Sequence, residues 1–555
     1  MYQYDNYDQQ VVGERVAQFA QQVQRYTAGA LSEDEFLPLR LQNGVYIQRQ
    51  SPMLRVAVPY GMLSSCQLRK LAQISRRYDR GYAHVTTRQN LQFNWVSLQQ
   101  VPEILRELAS VEMHSIQTSG NCIRNTTCDP LAGVARDELA DPRPFCEIIR
   151  QWSTLHPEFA FLPRKFKVAV IGAVEDRAAI QLHDIGLQLI NNNAGEIGFK
   201  VWVGGGLGRT PVLAKQLREF LPQAQLLAYL KAILRVYNRY GRRDNKYKAR
   251  IKILVNALGL VNFSAQVEAE FERTLAPEYL LDPAEVEHVR GFFLPPNYAV
   301  VDDAVVEAEL LSQQRQQPQF SRWLTRNVQP HRVTGYAIVS LSLKAAGQAP
   351  GDITAAQFEQ VAALAERYSF GEVRTTQQQN LVLADVKKSD LWTLWQDAST
   401  ADLASPNIGT LTDIVCCPGG DFCALANARS LPISDAIQQR FDDLDYLYDL
   451  GDLSLRISGC VNACAHHHIA NIGILGVDKN GQEFYQITLG GKSSDGARLG
   501  KVLGPSLPID AVAGAVEQLL QTYLQARLDP QELFIDTLLR IGNQPFKEQV
   551  YAKAN

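Results

Sequence analysis

Small and apolar residues recur at helical spacing over Leu68, Leu71, Ala72 and Ser75 within QLRKLAQISRRYDRGYAHVTTRQNL, residues 67–91. They recur again over Phe358, Val361, Ala362 and Ala365 within QFEQVAALAERYSFGEVRTTQQQNL, residues 357–381. The i, i+3, i+4, i+7 pattern predicts an amphipathic helix in each segment, ended by Gly81 or Gly371 and followed by a strand. At an offset of 290 the two segments share nine of 25 residues, among them Tyr78 with Tyr368 and Gln89, Asn90, Leu91 with Gln379, Asn380, Leu381. LRVAV at 54–58 and AIVSLSL at 337–343 predict the opening strands, the second with the alternation that buries one face. A strand–helix–strand unit therefore occurs twice. HDIG at 183–186 echoes ANIG at 470–473, and VGGGLG at 203–208 echoes LGG at 489–491. The pattern is that of a gene duplication, its halves joined near the polar stretch SQQRQQPQ at 312–319.

Length and composition narrow the class. At 555 residues, 46% hydrophobic and 20% charged, the chain can bury several cores and is neither disordered nor fibrous. Its 55 basic and 58 acidic residues leave a net charge of -3. That excludes a global basic field for nucleic acid, so an anion site must be a local cluster. The longest apolar run, Phe166 to Val174, suits a buried strand and falls short of the roughly 18 to 20 residues that cross a bilayer. The opening MYQYDNYDQQ lacks a basic and an apolar region, so a cytoplasmic protein is expected, with no membrane partner.

Nine cysteines in such a chain point to metal ligands or reactive thiols. CCPGGDFC places Cys417 and Cys423 with five residues between them, and SGCVNAC places Cys460 and Cys464 with three between. Four soft thiolates can hold zinc or a 4Fe-4S cluster. Zinc knuckles prefer shorter gaps, so the spacing favours iron–sulfur, and Gly419 and Gly420 would let backbone N–H groups approach cluster sulfides. The first half repeats the spacing with Cys122 and Cys128 but has no second pair; these two, with Cys66, Cys146 and Cys416, are expected to pack and ligate nothing.

Where the first half lacks that pair it has cations: Arg88 in TTRQN, Arg124 in NCIRNTT, and Lys165 and Lys167 in PRKFK. The repeat replaces Arg88 by Gln378, so the charge belongs to one half only. Two apart on a strand, Lys165 and Lys167 face the same way and repel unless an anion lies between them. The run GRRDNKYKARIK at 241–252 adds further basic residues and reads, taken alone, as a solvated helix face.

CPGGDFC and SGCVNAC, with TTRQN, CIRN and PRKFK upstream, resemble the sulfite and nitrite reductases that carry siroheme and a 4Fe-4S cluster, the assimilatory sulfite reductase branch more than the plant-type nitrite reductases. The resemblance spans the chain from about residue 45. It implies an α+β fold, internally duplicated, with two ferredoxin-like half modules and two larger α/β domains that bind siroheme and cluster, related by a pseudo-two-fold axis. The boundaries expected are an arm at 1–45, half modules at 46–115 and 326–405, a siroheme and substrate domain at 116–325, and a cluster and siroheme domain at 406–555. It further implies that Cys417, Cys423, Cys460 and Cys464 hold the cluster and that Cys464 also reaches the siroheme iron. Arg88, Arg124, Lys165 and Lys167 would receive the oxyanion, and Arg164, Lys248, Arg250, Lys252 and Asn462 would bind the macrocycle.

Lys167, where nitrite-reducing relatives commonly have Asn, favours sulfite over nitrite. The tract His466 to His468 departs from some relatives, and a packing or capping role is expected of it. VGGGLGR at 203–209 is a weak dinucleotide fingerprint without a following acidic residue. An external donor, an NADPH-dependent flavoprotein or a ferredoxin, is therefore implied. The alternatives are a ferredoxin-type nitrite reductase and, in another class, a zinc-stabilised binding protein without redox chemistry.

Overall fold

The structure, a computed structural model, describes residues 1–494 and 496–552; Asp495 and residues 553–555 of the expected C-terminal domain lie outside the described residues. The first half contributes strands β1 (Val45–Ile47), β2 (Pro52–Val56), β3 (Met62–Ser64), β4 (Tyr82–Val85), β5 (Leu91–Phe93), β6 (Thr127–Cys128), β7 (Val168–Ile171), β8 (Ile185–Asn191), β9 (Ile197–Val203) and β10 (Lys215–Pro222). The second contributes β11 (Val328–Pro330), β12 (Tyr336–Leu341), β13 (Asp352–Thr354), β14 (Glu372–Thr375), β15 (Leu381–Lys387), β16 (Val415–Cys416), β17 (Leu455–Ser458), β18 (Ile472–Lys479) and β19 (Gln482–Leu489).

Two antiparallel sheets, ordered β1-β2-β5-β4-β13 and β11-β12-β15-β14-β3, are built by exchange: each half lends one three-residue strand to the other's sheet. One hydrophobic core runs through both, from Val16 to Met113 and from Phe320 to Ala404. The helices Ser65–Tyr78 and Ala355–Tyr368 are the two predicted from periodicity, and both bury the expected face. The shared residues have matching jobs. Gln67 and Gln357 close capping boxes with Ser64 and Thr354. The hydroxyls of Tyr78 and Tyr368 donate to Glu107 and Asp397 on the next helix. Gly81 and Gly371 take φ of +81° and +75°, and their N–H groups bond back to Ser75 and Ala365.

Gln89 and Gln379 also share a left-handed backbone, φ 58° and 63°. Gln89 donates to the Thr375 carbonyl (3.0 Å) and accepts from the Cys128 N–H (2.9 Å). Gln379 donates to the carbonyls of Val85 (2.9 Å) and Cys416 (3.0 Å) and accepts from the Cys416 N–H (2.8 Å). Each amide thus ties its own half to the other.

The larger domains are mixed sheets of matching topology, β6-β7-β8-β9-β10 and one led by β16-β17-β18-β19, with β6, β7, β8 parallel in the first and β16, β17, β18 parallel in the second. The polar stretch at 312–319 is helical, spanning the junction of Asp303–Gln316 and Pro318–Asn327. The N-terminal segment forms helices Asn6–Thr27 and Glu33–Gln42 and buries Phe19 and Phe36 in the shared core. Among the described residues no helix is long and apolar enough to cross a membrane.

Gln379→Ala would orphan a buried N–H and two carbonyls, each costing about 1 to 3 kcal/mol. Chemical unfolding should show a loss of at least about 3 kcal/mol, against less than about 0.5 kcal/mol for the neighbouring Gln378→Ala.

Candidate active site

Phe166 organises the cationic side. It is fully buried against Tyr237, its N–H donates to the Cys122 carbonyl (3.0 Å), and its carbonyl accepts from Arg124 N–H (2.7 Å). Alternation then sends Lys165 and Lys167 to the opposite face. Arg124 is fixed by the carbonyls of Thr118 (2.8 Å) and Gly120 (2.8 Å), and Arg88 by Thr127 Oγ1 (3.0 Å) and the Asn125 carbonyl (2.7 Å). Arg250 makes a bidentate pair with Asp184 (both 2.8 Å from Nη2), which also accepts from the Lys167 N–H (2.8 Å).

Asp184 is fully buried, and the five cations around it, Arg88, Arg124, Lys165, Lys167 and Arg250, are half-buried. Burial, reinforced by Arg124 and Arg250, pulls the Lys165 ammonium down to about 7. Burial with Arg88, Lys165 and Arg250 holds Lys167 well below its usual range. Burial lowers Arg88 to about 9. One carboxylate against five cations leaves a pocket that lacks negative charge.

The thiols lie on two loops of the second half, after β16 and after β17. Cys417 follows β16, and its sulfur accepts from the Gly459 N–H at 3.2 Å. Gly419 has φ +57°, and a Cβ there would lie 2.2 Å from Ser430 Oγ; one on Gly459 would lie 2.6 Å from the Ala428 carbonyl. The glycines let these loops fold closely around the sulfurs. Ala463, φ 53°, turns the chain between Cys460 and Cys464. Burial and the nearby Cys464 push Cys417 up to about 12. Burial, followed by Asn462 and Cys464, leaves Cys460 at about 11, and burial raises Cys423, which also feels Cys464. All four sulfurs share one electrostatic neighbourhood. Among the described residues no three His, Cys, Asp or Glu side chains gather tightly enough to hold a single metal ion.

The two sides meet. Thr87 Oγ1 donates to the Cys464 carbonyl at 2.7 Å, and Lys165 feels the charge of Cys464, an exposed thiol. His468 Nε2 lies 3.1 Å from the Gly208 carbonyl, bringing the 203–208 glycine loop against the second cysteine loop.

The remaining basic residues separate. Arg164 is half-buried beside Arg124 and Arg250, Lys248 and Asn462 are exposed, and Arg250 is held by Asp184. Lys252 is buried, with its ammonium donating to the carbonyls of Gly206 (3.2 Å), Leu207 (2.9 Å) and Thr210. It braces the glycine loop rather than extending toward the open pocket. Cys128, Cys146 and Cys416 are buried, Cys122 is half-buried and Cys66 is exposed. His467 is fully buried, with no partner for either ring nitrogen among the described residues, and its ring centre lies 3.9 Å from that of His468. Asp184 and Thr87 escape a reading of motifs. The signal for Asp184 was its place in HDIG, where the second copy has the neutral Asn471.

Asp184→Asn removes the only carboxylate, among the described residues, that is paired within this cluster. Stability should fall by about 3 to 5 kcal/mol, the cost of stranding a buried charge, measured as a shift in the chemical unfolding midpoint; an unchanged midpoint would mean the cations do not need it.

Residues 119–275 and 409–555 match the nitrite and sulphite reductase 4Fe-4S domain, and residues 46–111 and 331–399 match the nitrite/sulfite reductase ferredoxin-like half domain. Sulfite reductase (ferredoxin) 1 of Mycolicibacterium paratuberculosis is 28% identical over 510 residues, covering 89% of this chain and 83% of that protein. The chloroplastic ferredoxin–nitrite reductase of Arabidopsis thaliana is 27% identical over 484 residues, 84% and 75%. The two branches thus stand at the same distance. The solved structure of Mycobacterium tuberculosis NirA superposes with a TM-score of 0.76 at 25% identity, covering 93% of this chain and 92% of that one. Two matched pairs of domains, arranged about a cationic pocket and a four-cysteine loop system, place this chain in the nitrite and sulphite reductase family.

Proposed function

We propose that the chain reduces sulfite to sulfide, with siroheme and a 4Fe-4S cluster as its cofactors, a ferredoxin as external donor and the cytoplasm as its place. The observation that carries this is the meeting of a five-cation pocket with Cys464, through Thr87 and Lys165. When bound, the cofactors would supply single electrons and an iron on which the anion sits. Cys417, Cys423, Cys460 and Cys464 suit the cluster by donor chemistry and by the glycine cradle around them. Cys464, the exposed one of these four thiols, is the one placed to serve the macrocycle as well. Arg164, Arg250, Lys248 and Asn462 would face its carboxylates, with Lys252 holding the glycine loop.

Converting sulfite to sulfide consumes six electrons and six protons and releases three waters. Arg88 and Arg124, anchored by backbone carbonyls, would hold the anion's oxygens and offset charge as each departs. Lys165, held near neutrality, can give a proton to a leaving oxygen and take one back from water. Lys167, next to it, whose ammonium burial and the neighbouring cations disfavour, would take up a proton as the dianion enters and so supply the second charge that it needs. The reading of Lys167 is what favours sulfite over nitrite; ferredoxin is favoured by the names of the relatives, sulfite reductase (ferredoxin) and ferredoxin–nitrite reductase.

The visible spectrum of the purified protein, with iron and acid-labile sulfide analysis, tests the cofactors: chlorin bands and about four sulfides per chain are expected, and a colourless zinc protein would refute the reading. Lys167→Asn should lower sulfite turnover by on the order of 10²-fold and nitrite turnover less; equal losses would remove Lys167 from substrate choice. Below about pH 7 Lys165 is charged and above it neutral, so KM for nitrite, ionised throughout, should rise as pH goes from about 6 to about 8. Lys165→Arg, charged at both ends, should flatten that profile.

A further inference from the structure

Strand register lets the two halves be compared position by position. On β7, Ala169 lies between Thr127 of β6 and Gly186 of β8; on β17, Arg456 lies between Val415 of β16 and Gly473 of β18. Arg456 is therefore the twin of Ala169, at an offset of 287 that Val168 with Leu455 and Ile185 with Ile472 repeat. By the same offset Lys165 and Lys167 correspond to Asp452 and Ser454, and residues 175–179 correspond to 462–466.

A cavity of about 380 Å³ lies at the place so related to the candidate active site. Where that site joins first-half strand residues to the second cysteine loop, this cavity joins residues 452–456 of the second half to Glu175–Ala179 of the first, with Gln378, the twin of Arg88, in its wall. Most of its charges are matched. Arg177 pairs with Asp129, Asp137 and Glu175, Asp452 pairs with Arg326, and Asp176 accepts from the N–H groups of Ala178 and Ile180.

Arg456 is the exception. It is 5% exposed and lines the cavity, and its Nε is closed off with no acceptor among the described residues. The one carboxylate whose charge it feels, Asp413, is already bound by Lys344 at 2.5 Å. A buried guanidinium whose Nε has no acceptor among the described residues is costly, and the twin strand avoids that cost with a methyl group. A charge kept in one copy and absent from the other marks a use specific to that copy.

We propose that this cavity is a second anion-binding site, taking a small oxyanion, inorganic or the carboxylate of a short organic acid, against the guanidinium of Arg456. Its size suits such a ligand, at the lower end of the roughly 300 to 1,000 Å³ of small-molecule pockets. A planar guanidinium offers two parallel N–H donors to paired oxygens. Lys492 stands exposed at the wall and adds attraction. His183 and His466 also line the cavity while feeling the charge of Lys167 and Arg88, so they form the partition between the two anion sites.

The test is calorimetric titration of the purified holoprotein at low salt with sodium sulfate and, separately, sodium succinate. Wild type should bind at least one of them; the tighter arm identifies the inorganic or organic source. Arg456→Leu should weaken that binding tenfold or more. Gln378→Glu, which adds a negative charge to the wall without changing its size, should do the same and keeps the test valid if Arg456→Leu fails to fold. Lys167→Asn, in the other pocket, should leave the affinity within about twofold. Binding that is lost in Lys167→Asn and untouched in Gln378→Glu would place the anion in the candidate active site and overturn the proposal, as would the absence of binding to wild type. Failure of the sulfite reading would show instead in the spectrum and turnover and leave this titration unaffected.

Discussion

Two buried amides fix the relation between the halves. Gln89 and Gln379 each hold a left-handed turn, and each reaches across the pseudo-two-fold axis to backbone of the opposite half. Around them the half modules exchange strands and share one core. The sites depend on this closure, because neither is made by one half. The candidate active site joins cations of the first to thiols of the second.

What distinguishes the two composite sites is charge, placed on nearly the same backbone. Arg88 faces Gln378 across the repeat, Asp184 faces Asn471, and Lys165 and Lys167 face Asp452 and Ser454. The first pocket thereby gathers five cations about one carboxylate, while its twin has matched pairs and a lone Arg456. Such a surplus of like charge is tolerable because rigid backbone acceptors hold the arginines, and because a neutral lysine can exist where a charged one would be costly. The same depressed basicity suits proton delivery.

Much of this was legible in the chain. The offset of 290 fixed the duplication, helical periodicity found both exchanged-sheet helices, and the cysteine spacing located the thiol loops. The strand exchange was not legible, because β3 and β13 are three residues each, too short for an alternating pattern, and their partners lie nearly 300 residues away. The run at 241–252 was read by composition, and composition cannot show that Lys252 turns inward to loop carbonyls while Lys248 remains in solvent. Arg456 belongs to none of the motifs singled out in the sequence; one charge inside the otherwise uncharged strand β17 was the available signal. The α+β fold class and its duplication agree with the family models, each of which matches the chain twice.

The lent strands also constrain how the chain could be divided. Cut in the 303–327 helices, each piece would present a sheet with an unpaired edge and a partial core, the condition that drives edge-to-edge aggregation. Together the pieces would satisfy one another, because all the interlocking is noncovalent and the peptide link serves chiefly to raise local concentration. An ancestor made of two identical subunits could thus have had this same interlocked form, with fusion freeing each copy to specialise.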